Sequence, residues 1–315
     1  MAIKRDEIWW VIRSVNERTL ELCIKLLAEI SYKNQVYIVN EIPFSKALKK
    51  AYESGFSSGL KWTACIDADV LLIDSQIDKF LNVVSEYGQD IFCAQGLIID
   101  KLIPIKRPSG IHLYRSQYLE KAISLIPQEG SSMRPESFVK VKMNEQGFPT
   151  LQTNVVVGLH DYGQKYIDIY RKAFLHAHKH DEILSLVEEF WRKNMNLDLD
   201  YKVALSGALA GKLNRDPLFI SKNYKRELGD RILEFLEIRE KGSLQESELN
   251  KSIILSIFKQ FQIDHRIQLY KNDLYKENYL RDSGYRVSGA KKLIKDVVYR
   301  TGLGIYKLGS KLNEY

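Results

Sequence analysis

The stretch Trp62-Thr-Ala-Cys-Ile-Asp-Ala-Asp-Val-Leu-Leu-Ile73 places two carboxylates, Asp67 and Asp69, directly after a short apolar, β-prone run. Paired aspartates at the end of a buried strand cost free energy unless a cation or a hydrogen-bond network compensates their charge. Oxygen ligands that leave coordination positions open suit Mg²⁺ or Mn²⁺ shared with a phosphate. The stretch therefore predicts that Asp67 and Asp69 bind a divalent cation together with the diphosphate of a nucleotide. The alternative is an ordinary pair of strand-to-turn aspartates.

A second pair with the same spacing, Asp198 and Asp200, provides a comparison within the chain. It lies in a polar stretch with helical character, and no β-branched run precedes it. Two aspartates separated by one residue also arise by chance in a chain of 315 residues, so the sequence context is more informative than the match to the motif. We expect Asp198 and Asp200 to be solvated turn or helix-cap residues.

Apolar runs alternate with helical patterns over the first part of the chain. The expected strands are 8–12, 35–39 and 62–66, and the expected helices are 19–30 and 44–59. Such alternation predicts an α/β fold in which helices flank a mostly parallel, doubly wound sheet. Ligands of these sheets bind at the carboxyl ends of the strands. Arg13, Asn40 and Asp67 fall at those ends, so we expect them to contact a bound nucleotide.

The same reasoning extends further along the chain. It predicts helices at 76–87 and 116–126, and residues 109–115 lead into the second of these helices. It also predicts strands at 90–94 and 151–159, with a loop that contains short strands at 128–147. His160 and Asp161 directly follow the last of these strands. From Tyr166 onward the hydrophobic pattern is helical. We therefore divide the chain into a catalytic domain at 1–181, a helical C-terminal extension at 182–285 and a basic tail at 286–315.

This layout resembles the GT-A glycosyltransferases, which are nucleotide-sugar-dependent enzymes with a Rossmann-like sheet. The resemblance covers residues 8–180 and centres on Ile66-Asp-Ala-Asp-Val70. In that family the carboxylates of the motif engage the divalent cation and the ribose or diphosphate of the donor. The resemblance thus implies these roles for Asp67 and Asp69, Mn²⁺ or Mg²⁺ as the cofactor, and a UDP-sugar as the expected donor.

The segment His160-Asp-Tyr-Gly-Gln-Lys165 is similar to the late H-x-x-G-x-x-K motif of glycogenin-like members of the family. The similarity implies that His160 is a metal ligand and that Lys165, which comes one residue early, contacts the donor phosphates. A histidine at a strand end also makes chemical sense as a third ligand, since neutral imidazole binds Mn²⁺ well. The alternative for His160 is a turn histidine that bonds to the backbone.

An inverting transfer requires a general base that accepts the proton of the acceptor hydroxyl. Asp67-Ala-Asp69 forms a D-x-D motif, and Glu136 and Asp161 are the carboxylates in loop or strand-end contexts between this motif and the extension. The resemblance favours Glu136, because the base of the family lies on the loop between the D-x-D and the last strand. Each could also be a surface carboxylate, and both an inverting and a retaining outcome stay open.

The net charge of +7 is concentrated near the C-terminus. Residues 286–315 contain seven Lys or Arg and two acidic residues, a net +5, around an interrupted apolar stripe. This distribution favours an anionic membrane surface over nucleic acid as the partner, because a nucleic-acid enzyme carries its basic surface on the folded body. A terminal helix packed on the enzyme is the alternative. A charged start, without a run of about 20 apolar residues, predicts a cytoplasmic protein that is peripheral on the membrane.

Two other sets of residues have a plainer interpretation. His176, His178 and His180 alternate in a helical pattern, and without a nearby cysteine we expect them on a solvated or partly packed helix face rather than in a zinc site. Cys23, Cys65 and Cys93 lie in apolar contexts and form no C-x-x-C spacing. We expect these cysteines to be reduced and buried.

Together these features predict a divalent-metal-dependent glycosyltransferase that moves a sugar from a nucleotide diphosphate to a hydroxyl group of a glycan or lipid-linked acceptor. Two other classes stay open. One is a sugar-1-phosphate nucleotidyltransferase, which is disfavoured because Arg13-Ser-Val-Asn-Glu-Arg18 lacks a glycine-rich phosphate loop. The other is a non-catalytic glycan-binding protein on a decayed transferase fold.

Overall fold

The structure of the protein is a computed structural model that describes residues 2–32, 34–87, 90–132, 134–216, 218 and 223–269. The predicted basic tail at 286–315 and the last part of the predicted extension lie outside the described residues. The division of the chain at residue 181 stays a prediction. No helix among the described residues is both long enough and apolar enough to cross a membrane.

A seven-stranded sheet forms the centre of the described part of the chain, with the strand order β2-β1-β3-β6-β5-β7-β4. The strands are β1 (Ile8–Arg13), β2 (Val36–Val39), β3 (Trp62–Asp67), β4 (Val70–Leu72), β5 (Cys93–Asp100), β6 (Lys106–Arg115) and β7 (Thr150–His160). β1 pairs in parallel with β2 and β3, and β5 pairs in parallel with β7. β6 and β4 run antiparallel to their neighbours. The predicted α/β class with a mostly parallel sheet is confirmed, whereas the sequence pattern does not predict β4 and β6.

Helices flank both faces of this sheet, as the sequence predicts. Those defined within the described residues are α1 (Leu20–Ile30), α2 (Phe44–Ser57), α3 (Asp74–Ser85), α4 (Leu119–Ile123), α5 (Pro135–Glu145), α6 (Tyr166–Lys179), α7 (Asp181–Asn194), α8 (Leu199–Leu213), α9 (Arg226–Phe235) and α10 (Lys251–Gln260). Short 3₁₀ turns lie at Arg5–Glu7 and Ser116–Tyr118. The predicted burial of the free cysteines is confirmed for Cys23, Cys65 and Cys93.

The antiparallel strand β6 depends on a close backbone approach. Pro108 and Gly110 interrupt the apolar alternation in its first half, which hides the strand in the sequence. Gly110 has a φ of +89°, and a Cβ at this position would lie 2.2 Å from Cγ2 of Ile98 on β5. Glycine therefore lets β6 pack against β5, and the pairing follows from tertiary packing rather than from a period of two.

Alternation along the strands assigns Arg13 and Asp67 to one face of the sheet. Val11 and Cys65 pack on this face with Val139 of α5. Side chains two residues farther along a strand point the same way. The polar ends of β1 and β3 therefore face the start of α5.

Helix α5 corrects the prediction of a loop with short strands at 128–147. Pro135 occupies its first turn, where the missing N–H and the fixed φ of proline are compatible with a helix. Val139 and Met143 then recur four residues apart, and both are fully buried. The proline and the flanking glycines mark the limits of a helix rather than an extended loop. Glu136 is consequently a helical residue.

The second D-x-D is only in part the solvated cap that the sequence predicts. Asp198 is the N-cap of α8, and its carboxylate accepts a hydrogen bond from the backbone N–H of Asp200 at 2.9 Å. Asp200, however, is 1% exposed and forms ion pairs with Lys101 and Lys241. The expectation of a solvated Asp200 is wrong, because the two lysines that compensate its charge come from distant segments.

Asp200→Asn is expected to destabilise the fold by about 2 kcal/mol, because it leaves the charges of two partly buried lysines without full compensation. Lys101 still has Asp198 at 2.8 Å, which limits the loss. Chemical denaturation measures the free energy of unfolding, and the folded variant should retain the turnover of the wild type. Reduced turnover with unchanged stability would contradict this structural role.

Candidate active site

The carboxyl ends of β1 and β3 bring a buried arginine to the first aspartate of the D-x-D. Arg13 and Asp67 are register partners in the parallel ladder. Arg13 is 5% exposed, and its Nε donates to Asp67 Oδ1 at 2.9 Å. The Asp67 side chain keeps 44% of its surface exposed, so it lies at a rim that a ligand can reach. The structure thus places these two predicted nucleotide-binding residues side by side.

Glu136 binds the other end of the Arg13 guanidinium. Its Oε1 accepts from Arg13 Nη1 at 2.9 Å and from the Tyr114 hydroxyl at 2.6 Å. Burial alone would raise the pKa of Glu136, but the nearby positive charges, of which Arg13 contributes most, and the hydrogen bond from Tyr114 together outweigh it and hold this pKa well below its usual range. A carboxylate in this state is poorly suited to accept a proton. The contacts favour a role in holding Arg13, and the catalytic role predicted for Glu136 stays a prediction.

The second aspartate of the D-x-D belongs to a different group, Asp69, His160 and Asp161, which we call the Asp–His–Asp cluster. Antiparallel pairing of β4 with β7 sets Val70 opposite His160 and so brings the end of β7 next to the D-x-D. One potential ligand atom from each of the three side chains lies within 4.8 Å of the others. Asp69 is 7% exposed and Asp161 is fully buried. The structure therefore joins Asp161, predicted as an alternative base, to two of the predicted metal ligands.

Two carboxylate oxygens of the Asp–His–Asp cluster have unused bonding capacity. Asp69 Oδ1 and Asp161 Oδ2 are buried and accept no hydrogen bond. The nearest nitrogens of His160 lie 3.6 and 3.1 Å from them, respectively. Carboxylate oxygens together with an imidazole nitrogen are suitable ligands for Mn²⁺, and the oxygens also suit Mg²⁺. The residues present therefore fit a divalent cation, while direct ligation by Asp67 stays a prediction.

Asp100, a residue that no sequence pattern marks, orients His160. Nδ1 of His160 lies 2.9 Å from Asp100 Oδ2, and the same oxygen accepts from Arg107 Nε at 2.6 Å. A carboxylate on one ring nitrogen commonly fixes a histidine whose other nitrogen binds a metal. Burial alone would lower the pKa of His160, but Asp161, Asp69 and Asp100 together outweigh it and raise the pKa to about 10. The imidazole is thus protonated without an ion and must release a proton to ligate one.

Lys172 of α6 forms ion pairs with both carboxylates of the cluster. Its ammonium group contacts Asp69 Oδ2 and Asp161 Oδ1. Burial alone would raise the pKa of Asp69, but the charge and hydrogen bond of Lys172 and the charge of His160 together outweigh it and hold this pKa below its usual range. Lys172 therefore provides a positive charge at the site even without a metal ion. The sequence does not predict this contact, because the helical pattern at 166–179 does not show in which direction the side chain of Lys172 extends.

A cleft of about 180 Å³ opens beside the Arg13–Asp67 pair. Its lining combines charged and apolar side chains, among them Arg13, Glu41, Phe44, Asp67, Asp69 and Arg171. The ring of Phe44 lies against the guanidinium of Arg13, with 5.0 Å between its centroid and Cζ. An apolar surface next to carboxylates suits a nucleoside, whose base has apolar faces and whose ribose hydroxyls donate hydrogen bonds.

Two predicted nucleotide-binding residues lie away from this cleft. Asn40 follows β2 and is exposed, and the neighbouring Glu41 lines the cleft instead. Lys165 lines a separate cavity of about 650 Å³ with Arg18 and Lys241. The structure does not bring Asn40 and Lys165 to the D-x-D, and their contacts with a donor stay predictions.

A scan against models of protein families finds no match, and a search of curated proteins finds none either. Among solved structures, a mannosyltransferase from Pyrobaculum calidifontis in complex with GDP-Man and Mn²⁺ is similar over 73% of this chain and 81% of that one, with 13% identity and a TM-score of 0.37. A cytidylyltransferase from Leptospira borgpetersenii is similar over 74% and 95%, with 12% identity and a TM-score of 0.36. A glycosyltransferase involved in the glycosylation of the major capsid of PBCV-1 is similar over 50% and 95%, with 12% identity and a TM-score of 0.34. At such values these similarities do not distinguish sugar transfer from nucleotidyl transfer.

Proposed function

We propose that this chain is a glycosyltransferase that moves a sugar from a nucleoside diphosphate to a hydroxyl group of a glycan or lipid-linked acceptor, with Mn²⁺ or Mg²⁺ as cofactor. The observation that supports it most is the pair of buried carboxylate oxygens without hydrogen bonds on Asp69 and Asp161, beside His160. A cation on these ligands would neutralise the diphosphate as it leaves. Asp69 also lines the cleft, so the cluster and the cleft form one site.

The residues of the cleft have distinct tasks in this proposal. Glu136 fixes Arg13, and Arg13 in turn holds the carboxylate of Asp67 at the rim. There Asp67 can accept hydrogen bonds from the ribose hydroxyls of the donor. Phe44 offers an apolar surface to the base. If a cation binds the carboxylates of Asp69 and Asp161, the ammonium group of Lys172 can contact the donor phosphates instead.

The loop after β1 argues against the nucleotidyltransferase alternative. An enzyme that binds a nucleoside triphosphate on such a loop needs free backbone N–H groups for the phosphates. In this chain Glu17 Oε2 accepts from the Val15 N–H at 2.8 Å and from the Ser14 hydroxyl at 2.7 Å. A carboxylate therefore uses donors that a phosphate would need, and its negative charge would repel a triphosphate.

A panel of nucleotide-sugars with and without Mn²⁺ tests the proposal. A ligand present at 100 times its dissociation constant stabilises a fold by about 2.7 kcal/mol. We expect one nucleotide-sugar, with UDP-sugars as the first candidates, to raise the melting temperature when Mn²⁺ is present and to lose its sugar to an acceptor or to water. A shift with CTP or UTP plus a sugar phosphate, and none with nucleotide-sugars, would favour the nucleotidyltransferase. Binding without any turnover would favour the glycan-binding protein.

We also propose that the protein acts at the cytoplasmic face of a membrane, to which the tail at 286–315 binds. The proposal rests on the net charge of +5 in that tail, and each Lys or Arg near an anionic surface contributes about 1 kcal/mol. Truncation after Tyr285 should leave a folded enzyme that uses a soluble acceptor but no longer sediments with anionic liposomes. A large fall in melting temperature, or sedimentation that salt does not affect, would indicate a helix packed on the enzyme instead.

A further inference from the structure

The middle residue of the D-x-D is held by a side chain from outside the sheet. Ala68 lies between β3 and β4, which are far apart in the strand order, and it belongs to neither strand. Its N–H donates to the carbonyl oxygen of Arg13 at 3.0 Å, and its own carbonyl oxygen accepts from the Thr19 hydroxyl at 2.8 Å. Thr19 and Ala68 are fully buried. Because a buried backbone group needs a partner, Thr19 helps to fix the turn that carries Asp67 and Asp69.

The usual role of a threonine at the start of a helix does not explain Thr19. This residue is the N-cap of α1, where a threonine oxygen commonly accepts a hydrogen bond from the backbone of the first helical turn. The Thr19 side chain forms no such capping bond. Its hydroxyl group instead donates to Ala68 and accepts from Nε2 of Gln164 at 3.2 Å. One hydroxyl group therefore connects two segments that are distant in the sequence.

Gln164 belongs to the turn at 161–164, which follows β7 and carries Asp161. Asp161 has a φ of +65°, and such a left-handed conformation in a residue other than glycine persists where the surrounding structure holds it. Nε2 of Gln164 also donates to the carbonyl oxygen of Tyr162 at 3.4 Å. A Cβ at Gly163 would lie 3.4 Å from Cγ2 of Thr19, so the threonine packs directly against this turn.

The amide of Gln164 is a costly choice for this position. The side chain is fully buried, and its Oε1 accepts no hydrogen bond. A buried polar atom without a partner lowers the stability of a fold, whereas an apolar side chain of similar shape avoids that cost. Stability alone therefore does not favour an amide here, and its contacts with the two turns suggest a different use.

We propose that Thr19 and Gln164 are positioning residues for the divalent cation. This inference rests on the proposed function, in which the Asp–His–Asp cluster binds that cation. Asp69 follows β3, whereas His160 and Asp161 lie at the end of β7 and in the turn after it. The Thr19 hydroxyl bonds to both turns and so fixes the separation of ligands that must bind one ion. Residues that orient metal ligands commonly change metal affinity by about 10–100-fold.

Direct titration with Mn²⁺ tests the proposal without any turnover. Electron paramagnetic resonance reports the concentration of free Mn²⁺ in the presence of the full-length protein. Thr19→Val keeps the shape of the side chain and removes the hydroxyl group, and it should raise the dissociation constant for Mn²⁺ about tenfold. Thr19→Ser retains the hydroxyl group and should bind like the wild type. Equal weakening in both variants would assign the effect to the methyl group and overturn the proposal.

Gln164→Met distinguishes a bridge between the turns from a bond to one carbonyl group. It leaves the bond from Thr19 to Ala68 in place and removes the bond between Thr19 and the turn after β7. We expect it, too, to weaken Mn²⁺ binding about tenfold. It also provides the test if Thr19→Val does not fold. Binding as tight as that of the wild type would show that the bridge does not position the ligands.

Thr63→Val is the matched control. Thr63 is also fully buried, and its Oγ1 lies 2.8 Å from Oγ of Ser116, so the variant likewise removes one buried hydroxyl bond. It should lower the melting temperature and leave the dissociation constant for Mn²⁺ unchanged. The same loss of Mn²⁺ affinity in Thr63→Val and Thr19→Val would indicate a general loosening of the fold and contradict a specific role of Thr19.

The wild-type protein is titrated first, with and without UDP. If it binds no Mn²⁺ in either case, the metal-dependent transferase is wrong, and the positioning role is wrong with it. If the wild type binds Mn²⁺ and Thr19→Val binds it equally tightly, the positioning role alone is wrong. The two proposals therefore fail in distinguishable ways.

Discussion

Asp69→Asn is expected to lower the metal-dependent transfer of sugar by at least about a hundredfold while the fold is retained. Asparagine keeps the volume of the side chain but removes the negative charge that faces His160 and Lys172. Loss of a partner that merely orients a metal ligand already costs about 10–100-fold in affinity or activity. Loss of a charged ligand should cost more, and it should appear as a higher Mn²⁺ requirement together with lower turnover.

The comparison variant is Asp78→Asn on α3, which removes an exposed carboxylate that pairs with Arg5 at 2.7 Å. Turnover is measured over a Mn²⁺ titration at saturating nucleotide-sugar, and unfolding curves of both variants report whether the fold is intact. Asp78→Asn should match the wild type in the titration. Near-wild-type turnover of Asp69→Asn at low Mn²⁺ would falsify the assignment of the D-x-D to a cation.

The sequence predicts the part of the site that follows from order along the strands. An apolar run followed by a polar residue marks where a strand ends, and the parallel strands of such a sheet end at the same edge. Arg13 and Asp67 could therefore be placed side by side, and the register of β1 and β3 confirms their proximity. His160 follows from the same reasoning at the end of β7, and the pairing of β7 with β4 brings it to the D-x-D.

The charges that compensate these residues could not be predicted, because they come from distant segments. Glu136 reaches Arg13 from α5, and Lys172 reaches Asp69 from α6. A helical pattern shows which residues face the core. A long charged side chain at the border of that face, however, can extend into solvent or into a cleft. The packing of the helix on the sheet decides between these directions, and no local pattern encodes it.

The second D-x-D shows what separates a cation site from a structural ion pair. Asp200 is 1% exposed and Asp69 is 7% exposed, so burial does not distinguish them. Lys101 and Lys241 engage both oxygens of Asp200, whereas Asp69 Oδ1 accepts no hydrogen bond. Unused bonding capacity on a buried carboxylate is therefore the distinguishing feature, and it arises only in the tertiary structure.

Lys172→Met should make the stability of the protein depend on Mn²⁺. With EDTA present, the variant removes one of the positive charges beside Asp69 and Asp161 and leaves them that of His160, and removal of one partner from a buried ion pair costs about 3–5 kcal/mol. Mn²⁺ can replace the ammonium group on the same carboxylates. We therefore expect a lower melting temperature in EDTA and a recovery with Mn²⁺. The Mn²⁺-induced rise should exceed that of the wild type, in which the ion competes with Lys172.

Lys241→Met is the matched control for this experiment. Lys241 also pairs with a buried aspartate, Asp200, and its side chain is 18% exposed, against 16% for Lys172. The control should lose stability without recovering in Mn²⁺, because Asp200 lies outside the Asp–His–Asp cluster and keeps Lys101. If the two variants respond equally to Mn²⁺, the cluster binds no divalent ion and Lys172 is its permanent counterion. The pair of variants thus separates a transferase that uses a metal from one in which a lysine supplies the charge.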